Sequence, residues 1–374
     1  MPLYIHTLGV SDQAATARWA GLVDGAAGIA FVIFAPIWGL VGDRFGRKLM
    51  VLRSMFCATL VLGLMGFARS PIDLVVLRLM QGMLTGTIIA NVALVASVTP
   101  PRHAGYTLGM MQVAVFAGAS IGPMVGGLLT DTIGFRASFA VSAFMLFVGG
   151  ILVKLFVKEH FIPPDTNKTE NNNSFASVFA VAGFFVTVLT LFQISLANRI
   201  MTPIFPLYVE QLRGTPVNTS SVTGIILAIS GIAAALSAGL FGKFGERLGY
   251  KNVLVTATLV SGLVTLPQAF VNNVTELFVL RVLFGAAAGA IMPSTNCIVS
   301  VLIPPHNLGK AYGITYSANC MGIALGGIAG GYVGASMGLP MTFKLTAIIL
   351  IGTAGLALCR IRLPRAENAT NRKE

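Results

Sequence analysis

The chain has 374 residues, of which 55% are hydrophobic and only 10% charged, and its mean hydropathy is +0.82. Soluble domains carry about 25% charged residues, so a soluble enzyme, a nucleic-acid binder and a disordered protein are excluded. The formal net charge of +12 is therefore read against a membrane and not against nucleic acid.

In chain order, apolar stretches long enough to cross a bilayer as helices are predicted at 19–41, 49–68, 73–98, 106–129, 137–157, 175–208, 221–241, 252–271, 275–303, 311–335 and 341–359. The first holds Asp24, a carboxylate well inside a span, and runs into the loop GLVGDRFGRK at 39–48. The third holds Arg78, Gln81, Gly82 and Asn91. The fourth holds Gln112 within the series Gly109, Gly118, Gly122, Pro123, Gly126 and Gly127. After the fifth comes KEHFIPPDTNKTENNNS at 158–174, an Asn- and Pro-rich stretch read as a cytoplasmic linker. The sixth places Phe185, Phe192 and Arg199 seven residues apart, hence on one helix face, with Gln193 beside them. The loop after the seventh holds Glu246; the ninth holds Arg281 and Asn296, and the tenth Tyr316 and Asn319.

All four cysteines fall inside these spans and read as small apolar groups, not as a disulfide framework or metal site. The four histidines fall in loops without metal spacing, and no phosphate-cradling loop ends in Lys-Ser or Lys-Thr. Neither a metal nor an ATP site is expected. Sorting Lys and Arg by loop puts 17 of the 25 on one side, including the C-terminal tail, and 5 on the other. The richer side is cytoplasmic by the positive-inside rule, which with eleven spans puts the N-terminus outside.

The chain repeats itself. GLVGDRFGRK at 39–48 returns as GKFGERLGYK at 242–251, and the same shift carries Asp73 to Glu276, Arg78 to Arg281 and Gly82 to Gly285. One residue further out of step, Gly118, Gly122, Gly126 and Gly127 return as Gly322, Gly326, Gly330 and Gly331. Pro2-Leu3-Tyr4 corresponds to Pro206-Leu207-Tyr208, which closes a long span in the second half. The repeat thus predicts a double six-span plan whose first helix is lacking from this sequence.

On these residues the chain resembles the major facilitator superfamily, and within it the twelve-span drug:proton antiporters. The pattern G-x-x-G-D-R-x-G-R-K fits Gly39, Gly42, Asp43, Arg44, Gly46, Arg47 and Lys48; R-x-x-Q-G fits Arg78, Gln81 and Gly82. The antiporter pattern G-x8-G-x3-G-P-x2-G-G fits Gly109 through Gly127, whereas the second half has Gly327 in place of the proline. The resemblance implies an all-α membrane protein of the major facilitator fold. It has two pseudo-symmetric six-helix bundles, with 11 of 12 helices present, at 1–157 and 175–374. It implies export of small hydrophobic substrates against protons by alternating access. The protein is then a monomer in a bacterial inner membrane, without a cofactor. An uptake symporter or facilitator on the same fold, a polytopic enzyme and a non-functional truncated fragment are the alternatives.

For the site, the resemblance implies that Asp43 locks the cytoplasmic side against Gly309–Gly313, with Glu246 facing Gly105–Gly109 in the same way. Arg44, Arg47 and Lys48 serve this lock or act only as topology anchors. Five glycines and Pro123 on one span suit close helix approach and a bend, or form a plain packing seam. Charges inside a membrane are costly and read as functional by default. The resemblance gives the Arg78 position a role in proton handling, with a symmetric structural role as the alternative; Arg281 is expected to be structural. Asp24 and Arg199 break the repeat, since Leu227 and no residue stand opposite them. Asp24 is either the group that gains and loses a proton or a shallow interfacial carboxylate. Their similar depth predicts an ion pair between the halves. The cavity is expected at the midplane between the halves, lined from Gln81, Asn91, Gln112, Phe185, Phe192, Gln193, Arg199, Asn296, Tyr316 and Asn319.

Overall fold

The structure, a computed structural model, describes residues 1–85, 91, 94–95, 99, 104–159, 181, 183–304 and 308–361, with the backbone alone at 36, 39, 40, 43, 104–106, 108–109, 112, 116, 242–247 and 308–309. Among these residues it is all helix, in the order α1 (Pro2–Thr7), α2 (Gln13–Phe45), α3 (Arg47–Met65), α4 (Pro71–Leu84), α5 (Ala104–Phe156), α6 (Phe184–Met201), α7 (Phe205–Arg213), α8 (Thr219–Leu248), α9 (Tyr250–Thr265), α10 (Val274–Ala288), α11 (Ile291–Leu302), α12 (Leu308–Met337) and α13 (Leu339–Arg360). Nine segments among the described residues are long and apolar enough to cross a membrane. The linker expected at 158–174 lies outside the described residues save for Lys158 and Glu159.

The repeat is visible atom by atom. Tyr4 donates its hydroxyl to the Met65 carbonyl at 3.2 Å, and its repeat partner Tyr208 donates to the Gln268 carbonyl at 2.8 Å. Ser70 and Asp73 form a capping box at the start of α4, and Asn273 with Glu276 caps α10 at the equivalent place. Gly46 and Gly249 have φ of 97° and 83°, Gly134 and Gly338 of 81° and 87°, with extended ψ in every case. A side chain is strained there, so the chain reverses direction at the same two points in each half. α5 is accordingly two antiparallel spans joined at Gly134.

The span predicted at 275–303 is present as one apolar segment, Val274–Leu302, whose hydrogen-bond ladder is interrupted at Gly289–Ala290 between α10 and α11 while both residues keep right-handed helical angles. Pro293 is the cause, because it cannot donate to the Gly289 carbonyl four residues earlier and its ring crowds that carbonyl. The span predicted at 175–208 appears among the described residues as one apolar segment, Phe184–Arg213, divided by a turn at 202–204 into α6 and the short α7.

The bundles meet most closely in the half away from the basic loops. A Cβ on Gly21 would lie 2.6 Å from the Gly331 Cα, one on Gly127 2.2 Å from the Ser220 carbonyl oxygen, and one on Gly224 2.2 Å from the Pro123 carbonyl oxygen. Asp131 strengthens the second seam by accepting the Ser221 backbone N–H at 2.7 Å. Nearer the basic loops, a Cβ on Gly239 or Gly313 would meet nothing within 4 Å.

Candidate functional site

α2 is a 33-residue helix started by Asp12, whose carboxylate accepts the Ala15 N–H at 2.8 Å. At about 1.5 Å per residue, Asp24 lies roughly 16 Å along it, in the half where the bundles touch. Arg199 comes in from α6, near the C-terminal end of that helix. Its Nε reaches Asp24 Oδ2 at 2.6 Å and its Nη2 reaches Oδ1 at 2.5 Å. This is a bidentate fork between the two halves, the arrangement that makes an Arg–carboxylate pair directional as well as attractive. The pair is partly shielded, with Asp24 19% and Arg199 34% exposed. It fits only because α12 is glycine-lined beside it. A Cβ on Gly327 would sit 2.8 Å from Asp24 Oδ2, and one on Gly326 2.8 Å from the Arg199 Cβ.

Arg78 belongs to the same cluster. From α4 it donates to Gln81 Oε1 at 2.7 Å, and it interacts electrostatically with both Asp24 and Arg199. One carboxylate therefore faces two guanidiniums, one from its own half and one from the other. The Met1 amino group lies within electrostatic reach of Asp24 and Arg78.

Two cavities adjoin this cluster. The larger, about 480 Å³, lies between the bundles and is lined by Arg78, Pro123, Gly126, Gly127, Thr223 and Gly224 among others. Arg78 and the antiporter motif thus share one wall space. The smaller, about 280 Å³, is lined by Arg199, Ser195, Asn198 and Asn319 with apolar residues from α6, α11 and α12.

The expected cavity residues are not gathered in one place. Gln81 joins Arg78, while Arg199 and Asn319 line the smaller cavity. Gln193 accepts from Thr353 at 3.3 Å within its own bundle, and Phe185 is exposed. The Asn296 carbonyl accepts from Tyr312, and the Tyr316 ring stands 6.4 Å from that of Phe31 on the opposite half. Phe192 contributes its carbonyl to the seam against Gly322, and Asn91 is half-buried. The side chains of Gln112, Asp43 and Glu246, and the surroundings of Gly39, Gly109 and Gly309, lie outside those described, and the expected lock lies there with them.

Among the motif glycines, Gly127 meets α8 backbone, Gly42 has Met50 beside it at 3.1 Å, and a Cβ on Gly118, Gly122 or Gly126 would meet nothing within 4 Å. In the second half Gly322, Gly326 and Gly330 press on α6. Arg44 stacks on its neighbour Phe45 at 5.6 Å. Arg47 and Lys48 open α3, and their backbone N–H groups donate to Glu159 at 3.0 and 2.8 Å.

Three features went unnoticed in the sequence. Glu159, at the start of the polar stretch, caps α3. Arg53, counted among the loop charges, instead sits in α3 with its guanidinium 3.3 Å from the Trp38 ring. Asn198 and Ser195 complete the polar side of the smaller cavity; the signal was available, since both are polar residues inside an apolar span.

The profile described as Major Facilitator Superfamily matches residues 1–223 and 187–374. The chain is 34% identical over 366 residues to the multidrug resistance protein MdtG of Rahnella sp. (strain Y9602), covering 97% of this chain and 89% of that protein. It is 36% identical over 358 residues to the MdtG of Serratia proteamaculans (strain 568), covering 95% and 86%. Among solved structures, a bacterial homolog of the human lysosomal transporter Spinster, inward-facing and occupied, aligns with a TM-score of 0.78 at 14% identity over 97% of this chain and 92% of that one. The nucleoside transporter NupG aligns with a TM-score of 0.77 at 15% identity over 96% and 94%.

Proposed function

This chain belongs to the Major Facilitator Superfamily and is a multi-pass secondary transporter, and on that premise we propose that it exports hydrophobic drugs or toxic compounds by proton antiport. The proton gradient is the energy source, with no ATP or other cofactor. The protein works as a monomer in a bacterial inner membrane, its C-terminus and basic loops in the cytoplasm and the closed side facing outward.

The observation that carries the proton half of this reading is the bidentate hold of Arg199 on Asp24 across the halves, with Arg78 within electrostatic reach of both. A carboxylate that accepts a proton gives up the charge that holds Arg199. Proton binding and closure of the outer side are then exclusive at one group, which is the linkage that proton-driven alternation needs. Ionised Asp24 ties α2 to α6 and keeps the outer side shut. Protonated Asp24 releases Arg199, and the seam of glycines between α2 and α12 is free to part. Arg78 stabilises the ionised form from within the first bundle and sets how readily the proton is lost. Drug export is supported by the MdtG relatives and by the antiporter motif facing the larger cavity beside Arg78.

The test is accumulation of a panel of lipophilic drugs in cells with and without the chain, repeated with a protonophore. Lower accumulation that the protonophore abolishes is the expected result. Lower accumulation that survives the protonophore removes proton coupling, and unchanged accumulation removes export.

A further inference from the structure

We propose that the smaller cavity is a recognition site for an uncharged group that both donates and accepts hydrogen bonds, such as an amide or sulfonamide, carried on an apolar body. This names a substrate chemistry and rests on the export reading above.

The cavity lies beside a break in the hydrogen-bond ladder of one span. α10 is fixed against α8 by Gly285 and Gly289, where a Cβ would lie 2.2 Å from the Ser230 carbonyl oxygen and 2.1 Å from that of Ala234. Past Ala288 the backbone stays in the right-handed helical region at Gly289 (φ −59°, ψ −28°) and Ala290 (φ −76°, ψ −15°), but Pro293 has no N–H to offer the Gly289 carbonyl. Backbone groups freed by proline inside a membrane are tolerated where other partners or a cavity meet them. Here Ile291 and Met292, just past the break, form one wall of a space of about 280 Å³.

The facing wall is polar and incompletely paired. Ser195 donates to Asn319 Oδ1 at 2.6 Å, which leaves the Asn319 amide N–H groups without an acceptor among the described residues. Asn198 Oδ1 is buried and has no donor. An unpaired buried acceptor costs about 1–3 kcal/mol, so the site favours whatever brings an N–H or O–H to Asn198 and an acceptor to Asn319. Arg199 lines the same space and disfavours an ammonium group, while its charge is already met by both oxygens of Asp24, which removes the pull on an anion. The occupant is therefore neutral, with an apolar body against Ile291 and Met292. It also touches the residue that holds Asp24, so its arrival bears on the tie between the bundles.

Dansylamide has this chemistry: a sulfonamide with N–H donors and oxygen acceptors on a naphthalene. Its N,N-dimethyl derivative lacks the donors. Fluorescence titration of both probes into the purified full chain tests the site. Wild-type protein is expected to bind dansylamide about three- to tenfold more tightly than the dimethyl derivative, the worth of one neutral hydrogen bond. Asn198→Ala is expected to bring the two probes together, whereas Asn319→Ala, from a different helix, is expected to weaken both about three- to tenfold and keep the preference. Met292→Trp, which fills the cavity, is expected to remove both. Equal binding of the probes by wild-type protein, no saturable binding of either, an undiminished preference in a folded Asn198 variant, or unweakened binding of both probes by a folded Asn319 variant overturns the proposal. Binding to purified protein is independent of transport. A chain with the preference that exports nothing overturns the export reading alone, and a chain that exports without the preference overturns the site alone.

Discussion

Arg199 holds both oxygens of Asp24, with Nε–Oδ2 at 2.6 Å and Nη2–Oδ1 at 2.5 Å, across the boundary between the two bundles. Neither residue has a counterpart in the repeat, so the fork is an addition to the symmetric plan and not an element of it. Removing one partner leaves a guanidinium or carboxylate unpaired inside the membrane, which is costly. Asp24→Asn and Arg199→Gln are each expected to lower drug export at least tenfold. The exchange Asp24→Arg with Arg199→Asp is expected to recover a measurable part. A double variant no better than the single ones would count against the pair.

The seam beside the fork depends on the absence of side chains. At Gly331 a Cβ would lie 2.6 Å from the Ala17 carbonyl oxygen and from the Gly21 Cα. Gly331→Val is expected to keep the outer side from closing. Spin labels at Arg18 and Met337, both exposed near that side, are expected to show a longer mean distance in the variant than in wild-type protein. An unchanged distance distribution would mean that the seam adapts.

Much of this was legible in the residues. The repeat paired Tyr4 with Tyr208, Asp73 with Glu276 and the two loops that hold Gly46 and Gly249, and the structure gives each pair one backbone role; the caps themselves and the turns at Gly134 and Gly338 were not read from it. The inter-half pair followed from two charges that the repeat does not duplicate. The break at Gly289 did not follow, although Gly289 and Pro293 stand four apart, because hydropathy averages over a span and is insensitive to one missing hydrogen bond. The smaller cavity was also hidden. Asn198 and Ser195 acquire meaning only when α11 brings Ile291 and Met292, and α12 brings Asn319, to the same space.

Arg78 and Arg281 are repeat partners with different surroundings. Arg281 is 5% exposed and stacks on Phe205 at 4.3 Å, with Phe284 and Phe343 at 5.2 and 5.9 Å and the Met201 sulfur at 3.9 Å. A cation held by aromatic faces, with no carboxylate on it among the described residues, is a packing element, and an unbranched apolar side chain can keep those contacts. Arg281→Met is expected to retain export within about twofold of wild type. Arg78→Met is expected to lose it at least tenfold, since it removes one of the two charges facing Asp24. Equal losses in the two variants would contradict this division.

Glu159 accepts two backbone N–H groups at the start of α3, and the Lys48 ammonium reaches the Lys154 carbonyl beside it at 2.9 Å. Helix N-caps contribute about 0.5–2 kcal/mol. Glu159→Ala is expected to lower thermal stability by an amount in that range, and Glu159→Gln, which still accepts, by clearly less. Indistinguishable melting of the three proteins would show that water replaces the cap without loss.

The exchange of a proton for Arg199 at Asp24 is tested most directly by proton movement driven by an exported compound. Inside-out vesicles are energised to an acidic interior, followed with a pH-sensitive dye, and given a compound that the chain exports. Wild-type protein is predicted to release protons from the vesicles when the compound is added. Asp24→Asn, present in the membrane at the same level, is predicted to release none above vesicles without the chain. Compound-driven proton release by Asp24→Asn equal to wild type would contradict the account.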